Sequence, residues 1–271
     1  MNNPQDNFES DEEAGSMRRK VLAIANQKGG VGKTTTAVNL SACLGAAEKK
    51  TLLIDLDPQA NATSGYGFRP NNIQLSIYDA LVGKSDIREV IQSTEIEYLE
   101  VVPSKMDLVG AELEFVNLPL REFVLSKALS PILPHYDFVI IDCPPSLGLL
   151  TINAFTASDG VIIPMQAEYY AMEGINQLLN TISIVKKKLN PKLVISGILM
   201  TMIDNRLNLS KQIVNEVQDF FEELVFRTII YRNVRLGEAP SHGKPVIFYD
   251  AVSRGARNYM SLAKEMLEDE I

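Results

Sequence analysis

Asn26-Gln27-Lys28-Gly29-Gly30-Val31-Gly32-Lys33-Thr34-Thr35-Thr36 follows a short apolar run, 21–25, and opens a helical stretch expected over 33–47. A strand that turns on glycines into Gly-Lys-Thr and then enters a helix has the layout of a phosphate-binding loop. Glycines let backbone N–H groups converge on phosphate oxygens, and the helix N-terminus adds partial positive charge. In this reading the segment from Gly29 through Gly30, Val31, Gly32, Lys33, Thr34 and Thr35 cradles phosphates. Lys33 reaches the β- and γ-phosphates, and the Thr34 hydroxyl ligates Mg2+. The spacing departs from G-x-x-x-x-G-K-[ST], which asks for glycine at 27, where Gln27 stands. Instead Lys28 sits five residues before Lys33. A lysine at the mouth of such a loop is awkwardly placed for its own nucleotide. Two copies facing one another could each lend it to the partner's phosphates, as an arginine finger is lent; a plain solvated lysine reads equally well.

Outward from this loop, apolar runs alternate with helical periodicity. Strands are expected at 51–57, 96–104, 137–145, 159–165 and 192–201, apolar on both faces as buried parallel strands are. Helices are expected at 119–133, 169–188, 207–223 and 254–268. Strands alternating with helices predict βαβ units and an α/β fold of the P-loop NTPase kind, a mostly parallel twisted sheet with helices on both faces. No Gly/Ser/Pro-rich linker follows residue 17 and no repeat recurs at a fixed period, so 17–271 reads as a single domain. Residues 1–16 hold Asp6, Glu9, Asp11, Glu12 and Glu13 with no Lys or Arg, and read as a disordered acidic tail.

Two of the runs end in carboxylates. Leu52-Leu53-Ile54-Asp55-Leu56-Asp57 and Phe138-Val139-Ile140-Ile141-Asp142 each place Asp at the C-terminal end of a strand, where α/β sheets build ligand sites. Asp142 suits Mg2+, through bound water. Asp55 and Asp57 share parity and face one way; Asp57, nearer the loop, is assigned to orient the attacking water, and Asp55 to steady its own loop. Cys43 and Cys143 are too few for a disulfide framework. A cluster shared across a dimer axis is the redox alternative, but Cys43 lies among Leu40, Ala42 and Leu44 and reads as a small buried hydrophobe.

The 271 residues carry 26 basic and 34 acidic side chains, net −8, which excludes a uniformly basic nucleic-acid coat. The acidic excess is concentrated in the tail and at the C-terminal end, so a local basic patch on the body stays open. No apolar stretch is long enough to span a bilayer. The N-terminal segment lacks the basic region and apolar core of a secretory signal, which places the chain in the cytoplasm.

Lys-Gly-Gly-Val-Gly-Lys-Thr-Thr at 28–35, Asp-Leu-Asp-Pro-Gln-Ala-Asn-Ala-Thr at 55–63, Phe-Val-Ile-Ile-Asp-Cys-Pro-Pro-Ser at 138–146 and YRNVRLGEAPSHGKPV at 231–246 occur in this order. In that combination the chain resembles the deviant Walker-A ATPases of the ParA (Soj) partition type, over 18 to about 268. The resemblance implies an ATPase using ATP and Mg2+, with Lys28 crossing to the partner's nucleotide, Lys33 and Asp57 joining it in catalysis, and Thr34 and Asp142 at the metal. It implies a homodimer when ATP is bound, non-specific DNA as a binding partner, and a ParB-type protein that stimulates hydrolysis and releases the DNA. Arg206 and Arg235 fall at the family's DNA-contacting positions, which implies a nucleoid-associated protein.

One departure is visible. Relatives carry Ile-Pro-Arg-Asn where this chain has Ile230-Tyr231-Arg232-Asn233. The base is expected near this turn, with Asn233 in contact and Tyr231 either tolerated or stacked on the adenine. A MinD-like membrane-cycling ATPase is the alternative, but the C-terminal MSLAKEMLEDEI is acidic where such an anchor is basic, so no membrane partner is expected. A ParA-like protein that positions a protein assembly shares the same features.

Overall fold

Val21-Leu22-Ala23-Ile24 is apolar at every position because both of its faces are covered. The computed structural model describes residues 20–116, 118–168 and 171–268. The tail expected over 1–16 lies outside them, as do residues 169–170 at the start of the helix expected over 169–188. Strand β1 (Lys20–Ile24) leads into helix α1 (Lys33–Ala46), and β2 (Thr51–Asp55) into three short helices, α2 (Asn61–Gly65), α3 (Ile77–Leu81) and α4 (Ile87–Val90). Strands β3 (Gln92–Ser93) and β4 (Leu99–Val102) precede α5 (Leu108–Phe115) and α6 (Val124–Leu129). Then come β5 (Phe138–Asp142), α7 (Leu149–Ala157), β6 (Gly160–Gln166), α8 (Ala171–Lys188), β7 (Val194–Thr201) and α9 (Asn208–Phe221). The described chain closes with α10 (Val234–Glu238), α11 (Val246–Tyr249) and α12 (Arg254–Glu268).

The seven strands form one sheet in the order β3-β4-β2-β5-β1-β6-β7. All neighbours are parallel except β3, which runs antiparallel to β4 at the edge. Alternation along each strand sorts the core into two layers. Val21, Ala23, Leu52, Ile54, Val139 and Ile141 face a cluster completed by α3 to α9. Leu22, Ile24, Leu53, Phe138 and Ile140 face a second cluster built on α1 and α12. The apolar face of α12, with Tyr259, Leu262, Ala263 and Met266, is therefore spent on α1 inside the core. No helix among the described residues is long and apolar enough to cross a membrane.

The sequence expectation holds for the sheet, with the strands shorter at their ends than the apolar runs. It fails over 119–133. Leu120 takes a left-handed conformation (φ 57°), residues 121–123 make a tight turn, and α6 stops before Pro131 and Pro134. Proline removes a backbone donor and clashes with the preceding turn, so a helix cannot run through 131. The late signature is fixed to α1 from the other side. The Val246 N–H donates to Asn39 Oδ1 at 2.7 Å, and Asn39 Nδ2 donates to the Thr35 carbonyl at 2.7 Å. Gly243 (φ 63°) lies so close to Gly67 that a Cβ would sit 2.6 Å from the Gly67 Cα, so the turn requires glycine.

Candidate functional site

Strand order alone creates a crevice. The chain leaves β1 and returns at β2, but β5 is inserted between them. The register then sets the depth: Asp142 at the end of β5 is level with Ile24 of β1 on one side and Asp55 of β2 on the other. The loop 25–32 leaves from the same rim and turns back into α1. Gly30 (φ 74°) and Gly32 (φ 89°) are left-handed, which reverses the chain within a few residues. The space beside Gly29 and Gly30 is open, with nothing within 4 Å of a notional Cβ at either.

Helix α1 starts without a side-chain cap and without an acidic residue in its first turn. Its leading N–H groups therefore point unclaimed by any cap into the crevice, at the positive end of a 14-residue helix. Lys33 is 7% exposed, and its ammonium donates to the Lys28 carbonyl at 3.1 Å. Burial pushes the Lys33 pKa below its ordinary value, while Asp142, Cys143 and Asp57 pull it back. The loop is backed by the end of β7, where the Thr201 hydroxyl donates to the Val31 carbonyl at 2.8 Å.

The carboxylates differ in how they are satisfied. Asp55 accepts from the Asp57 N–H (3.1 Å), the Thr63 N–H (2.8 Å) and the Thr63 hydroxyl (2.7 Å), and so braces its own loop, as the sequence reading assigns it. Burial still pushes its pKa up to about 6. Asp57 is buried, and its Oδ1 accepts from the Gln59 N–H at 2.9 Å. Asp142 is fully buried, and neither of its oxygens completes a hydrogen bond among the described residues. Burial first, then Asp55 and Asp57, drive its pKa well above the carboxylate range; the nearby Thr34 hydroxyl and Lys33 oppose this without reversing it. An unpaired buried carboxyl facing a threonine hydroxyl, at the foot of an uncapped helix N-terminus, suits an anion bound together with a hard cation.

Lys28 projects from the mouth of the loop, and its ammonium is paired with Glu168 of the same chain. Tyr231 and Asn233 sit beside the end of β7, because the chain 225–231 runs parallel to it through bridges Ile198–Val225 and Ile203–Tyr231. The Arg254 guanidinium covers one face of the Tyr231 ring at 3.5 Å from its centroid. Only the opposite face of the ring is left for the adenine contact that the sequence reading allows. The Asn233 side-chain oxygen caps α10 by accepting from the Arg235 N–H at 2.9 Å, so that oxygen already has a donor.

The two arginines expected at a nucleic-acid face are exposed but engaged. Arg206 pairs with Asp204 at 2.6 Å, and Arg232 is near enough to act on the same carboxylate. Arg235 pairs with Glu238 at 2.8 Å and Asp250 at 3.1 Å. Pairs whose arginines stand this far into solvent are screened and individually weak, so a phosphate can compete with the carboxylate for either guanidinium. Cys43 and Cys143 are both buried, and Cys43 packs in the α1–α12 cluster as a small apolar side chain.

Sequence reasoning passed over Asn26, Asn39, Thr63, Glu168 and Thr201, all of which hold the site's framework. Asn26 Nδ2 donates to the Pro164 carbonyl at 2.8 Å, while its Oδ1 receives the Lys28 N–H at 3.0 Å. The Thr63 hydroxyl both donates to Asp55 and accepts the Ser104 N–H at 2.9 Å. The available signal for Asn39 was a carboxamide inside an apolar helical run, four residues from Thr35.

Comparison with known proteins agrees with this geometry. A family model described as an AAA domain matches residues 19–195. The chain is 56% identical to the sporulation initiation inhibitor protein Soj of Bacillus subtilis (strain 168), covering 91% of this chain and 98% of that protein. It is 54% identical to the chromosome partitioning protein ParA of Myxococcus xanthus (strain DK1622), covering 92% and 88%. Among solved structures, a Mycobacterium smegmatis protein described as cobyrinic acid a,c-diamide synthase, with bound ATP analog and magnesium, superposes with TM-score 0.81 at 37% identity, over 92% of this chain and 95% of that one.

Proposed function

This chain belongs to the Soj/ParA family of P-loop partitioning ATPases, and on that premise we propose that it is an ATP-driven DNA partition ATPase. Two subunits close over two ATP molecules, the closed dimer holds DNA without regard to sequence, and hydrolysis stimulated by a ParB-type partner releases it. The observation that carries the nucleotide half of this reading is the orphaned Asp142 carboxyl beneath the uncapped start of α1, beside buried Lys33.

Each residue is given a part that its position supports. The N–H groups of Gly29 to Thr35 and the Lys33 ammonium bind the phosphate chain, and desolvation makes the lysine's interaction with an anion stronger than it would be in water. Thr34 and Asp142 hold Mg2+, Asp142 through bound water, and the ion neutralises charge on the phosphates. Asp57 accepts a hydrogen bond from the attacking water and orients it. Lys28 reaches the partner's phosphates when two loops face each other. Tyr231 and Asn233 border the base. The family resemblance and the ATP-analog-bound structural relative support ATP and Mg2+ as the ligands.

Arg206 and Arg235 supply the DNA contacts, helped by Lys186, Lys187 and Lys188 at the end of α8. Binding carried by a few phosphate contacts is weak, salt-sensitive and indifferent to sequence, which suits a protein that must let go of DNA. The reading places the working protein on the nucleoid.

DNA retention measured with ATP, with ADP and with no nucleotide tests the whole cycle. The parent is expected to be retained with ATP alone. Arg206→Glu combined with Arg235→Glu is expected to cut retention at least tenfold and to flatten the salt dependence by about one log unit per log salt for each arginine removed. Equal retention under all three conditions, or a double variant that binds like the parent at moderate salt, would overturn the reading.

A further inference from the structure

The mouth of the phosphate loop is tied to β6, to Glu168 just after it and to the first turn of α8. Asn26 donates to the Pro164 carbonyl, Gln27 Nε2 donates to the Gly174 carbonyl at 2.6 Å, and the Lys28 ammonium donates to Glu168. Glu168 is itself set by a tight turn in which its N–H donates to the Gln166 carbonyl at 2.9 Å. So Lys28 does not dangle in solvent: the sequence reading left a solvated lysine and a lysine extended to a partner as alternatives, and the subunit shows a third arrangement. Its side chain is folded back on a carboxylate 140 residues away. The backbone carbonyl of the same residue receives the Lys33 ammonium. Both loop lysines are therefore engaged within their own subunit.

Resting on the sandwich-dimer reading above, we propose that Glu168 is a positioning residue for Lys28, a counter-ion in cis that holds the lysine back until a partner's phosphates compete for it. The exchange is a swap of one anion for another. A carboxylate that is about half exposed binds an ammonium weakly, and a triphosphate carries more charge within reach of the same group. The pair is thus weak enough to open on closure and strong enough to disfavour closure without nucleotide across the interface. The Lys33 contact adds a link: when Lys33 leaves the Lys28 carbonyl for phosphate, the backbone that carries Lys28 loses one of its ties. Nucleotide arriving in a subunit then loosens the lysine that the same subunit lends.

Removing the counter-ion should favour the dimer. An exposed pair of this kind biases its lysine by about threefold, and two pairs open in each dimer, so Glu168→Gln is expected to lower the ATP-dependent dimer dissociation constant about tenfold. The measurement is sedimentation or light scattering over a protein concentration series with ATP and Mg2+, made in an Asp57→Ala background so that hydrolysis does not drain the complex. The gain should shrink as salt is raised, which a purely structural role would not produce, and Glu168→Ala should behave as Glu168→Gln does. With Lys28→Ala present as well, Glu168→Gln should have no further effect. A dimer dissociation constant that is unchanged or raised by Glu168→Gln, in a parent that does dimerise, would overturn this inference alone. A parent that stays monomeric would overturn the sandwich reading and this inference with it.

Discussion

Lys33→Ala is expected to lower ATP affinity at least about a hundredfold, measured by calorimetric titration on a protein whose circular dichroism and melting temperature match the parent's. The magnitude follows from burial. Lys33 is 7% exposed as a residue, so its ammonium has already lost part of its water and phosphate meets it with less of the desolvation that would cancel the gain. Truncating one partner of a desolvated charge pair costs about 2–5 kcal/mol, and each 1.4 kcal/mol is a factor of ten. Folding should survive, because the ammonium's hydrogen bond is to a loop carbonyl and not to a core group. Affinity within threefold of the parent would show that phosphates sit elsewhere.

Asp142→Asn is expected to separate stability from ligand binding. The folded-state pKa of Asp142 is raised by burial and by Asp55 and Asp57, whereas the unfolded value is about 3.9. A carboxyl raised in the folded state contributes stability below its unfolded pKa and loses it as pH rises toward the folded one. Asp55, pushed up to about 6, adds to the same trend. In metal-free buffer the contribution of these two carboxyls to stability should therefore fall from about pH 4 upward. The isosteric Asn has no proton to lose, so its advantage should grow across that window. A gain of 1 kcal/mol corresponds to about 2–4 °C in a domain of this size, and at pH 8 the variant should melt at least about 3 °C above the parent. Near pH 4 the two should coincide. Addition of ATP and Mg2+ should reverse the order, because ligand that binds only the folded parent at a hundred times its dissociation constant adds about 2.7 kcal/mol. A metal-free variant that melts below the parent at pH 8 would contradict the view that this carboxyl is held at a cost for a cation.

The site was legible where its chemistry is local in the chain. Residues 26–36 form one contiguous loop, so composition and order alone identify a phosphate cradle. Asp55 and Asp142 could be placed because each ends an apolar strand, and parallel sheets put such ends on one rim. Contacts between distant segments were not legible. Glu168 meets Lys28, and Asn26 meets Pro164, only because β6 is laid beside β1, and nothing near either residue in the sequence marks the pairing.

The fold shows the same division. Buried parallel strands announce themselves as apolar runs, whereas β3 has two residues and carries no period. Helices α5 and α7 were missed, and the span 119–133 was read as one helix although Pro131 and Pro134 forbid it. Tyr231 illustrates a further limit: its aromatic ring suggested a base-stacking surface, but Arg254, 23 positions later in the sequence, already covers one face.

The central claim is that ATP joins two copies of this chain. Light scattering on Asp57→Ala, which on the proposed role of Asp57 is expected to retain ATP and Mg2+ without consuming it, tests that claim most directly. The account predicts twice the chain's mass with ATP and a single chain's mass with ADP or buffer, and the same mass under all three conditions would contradict it.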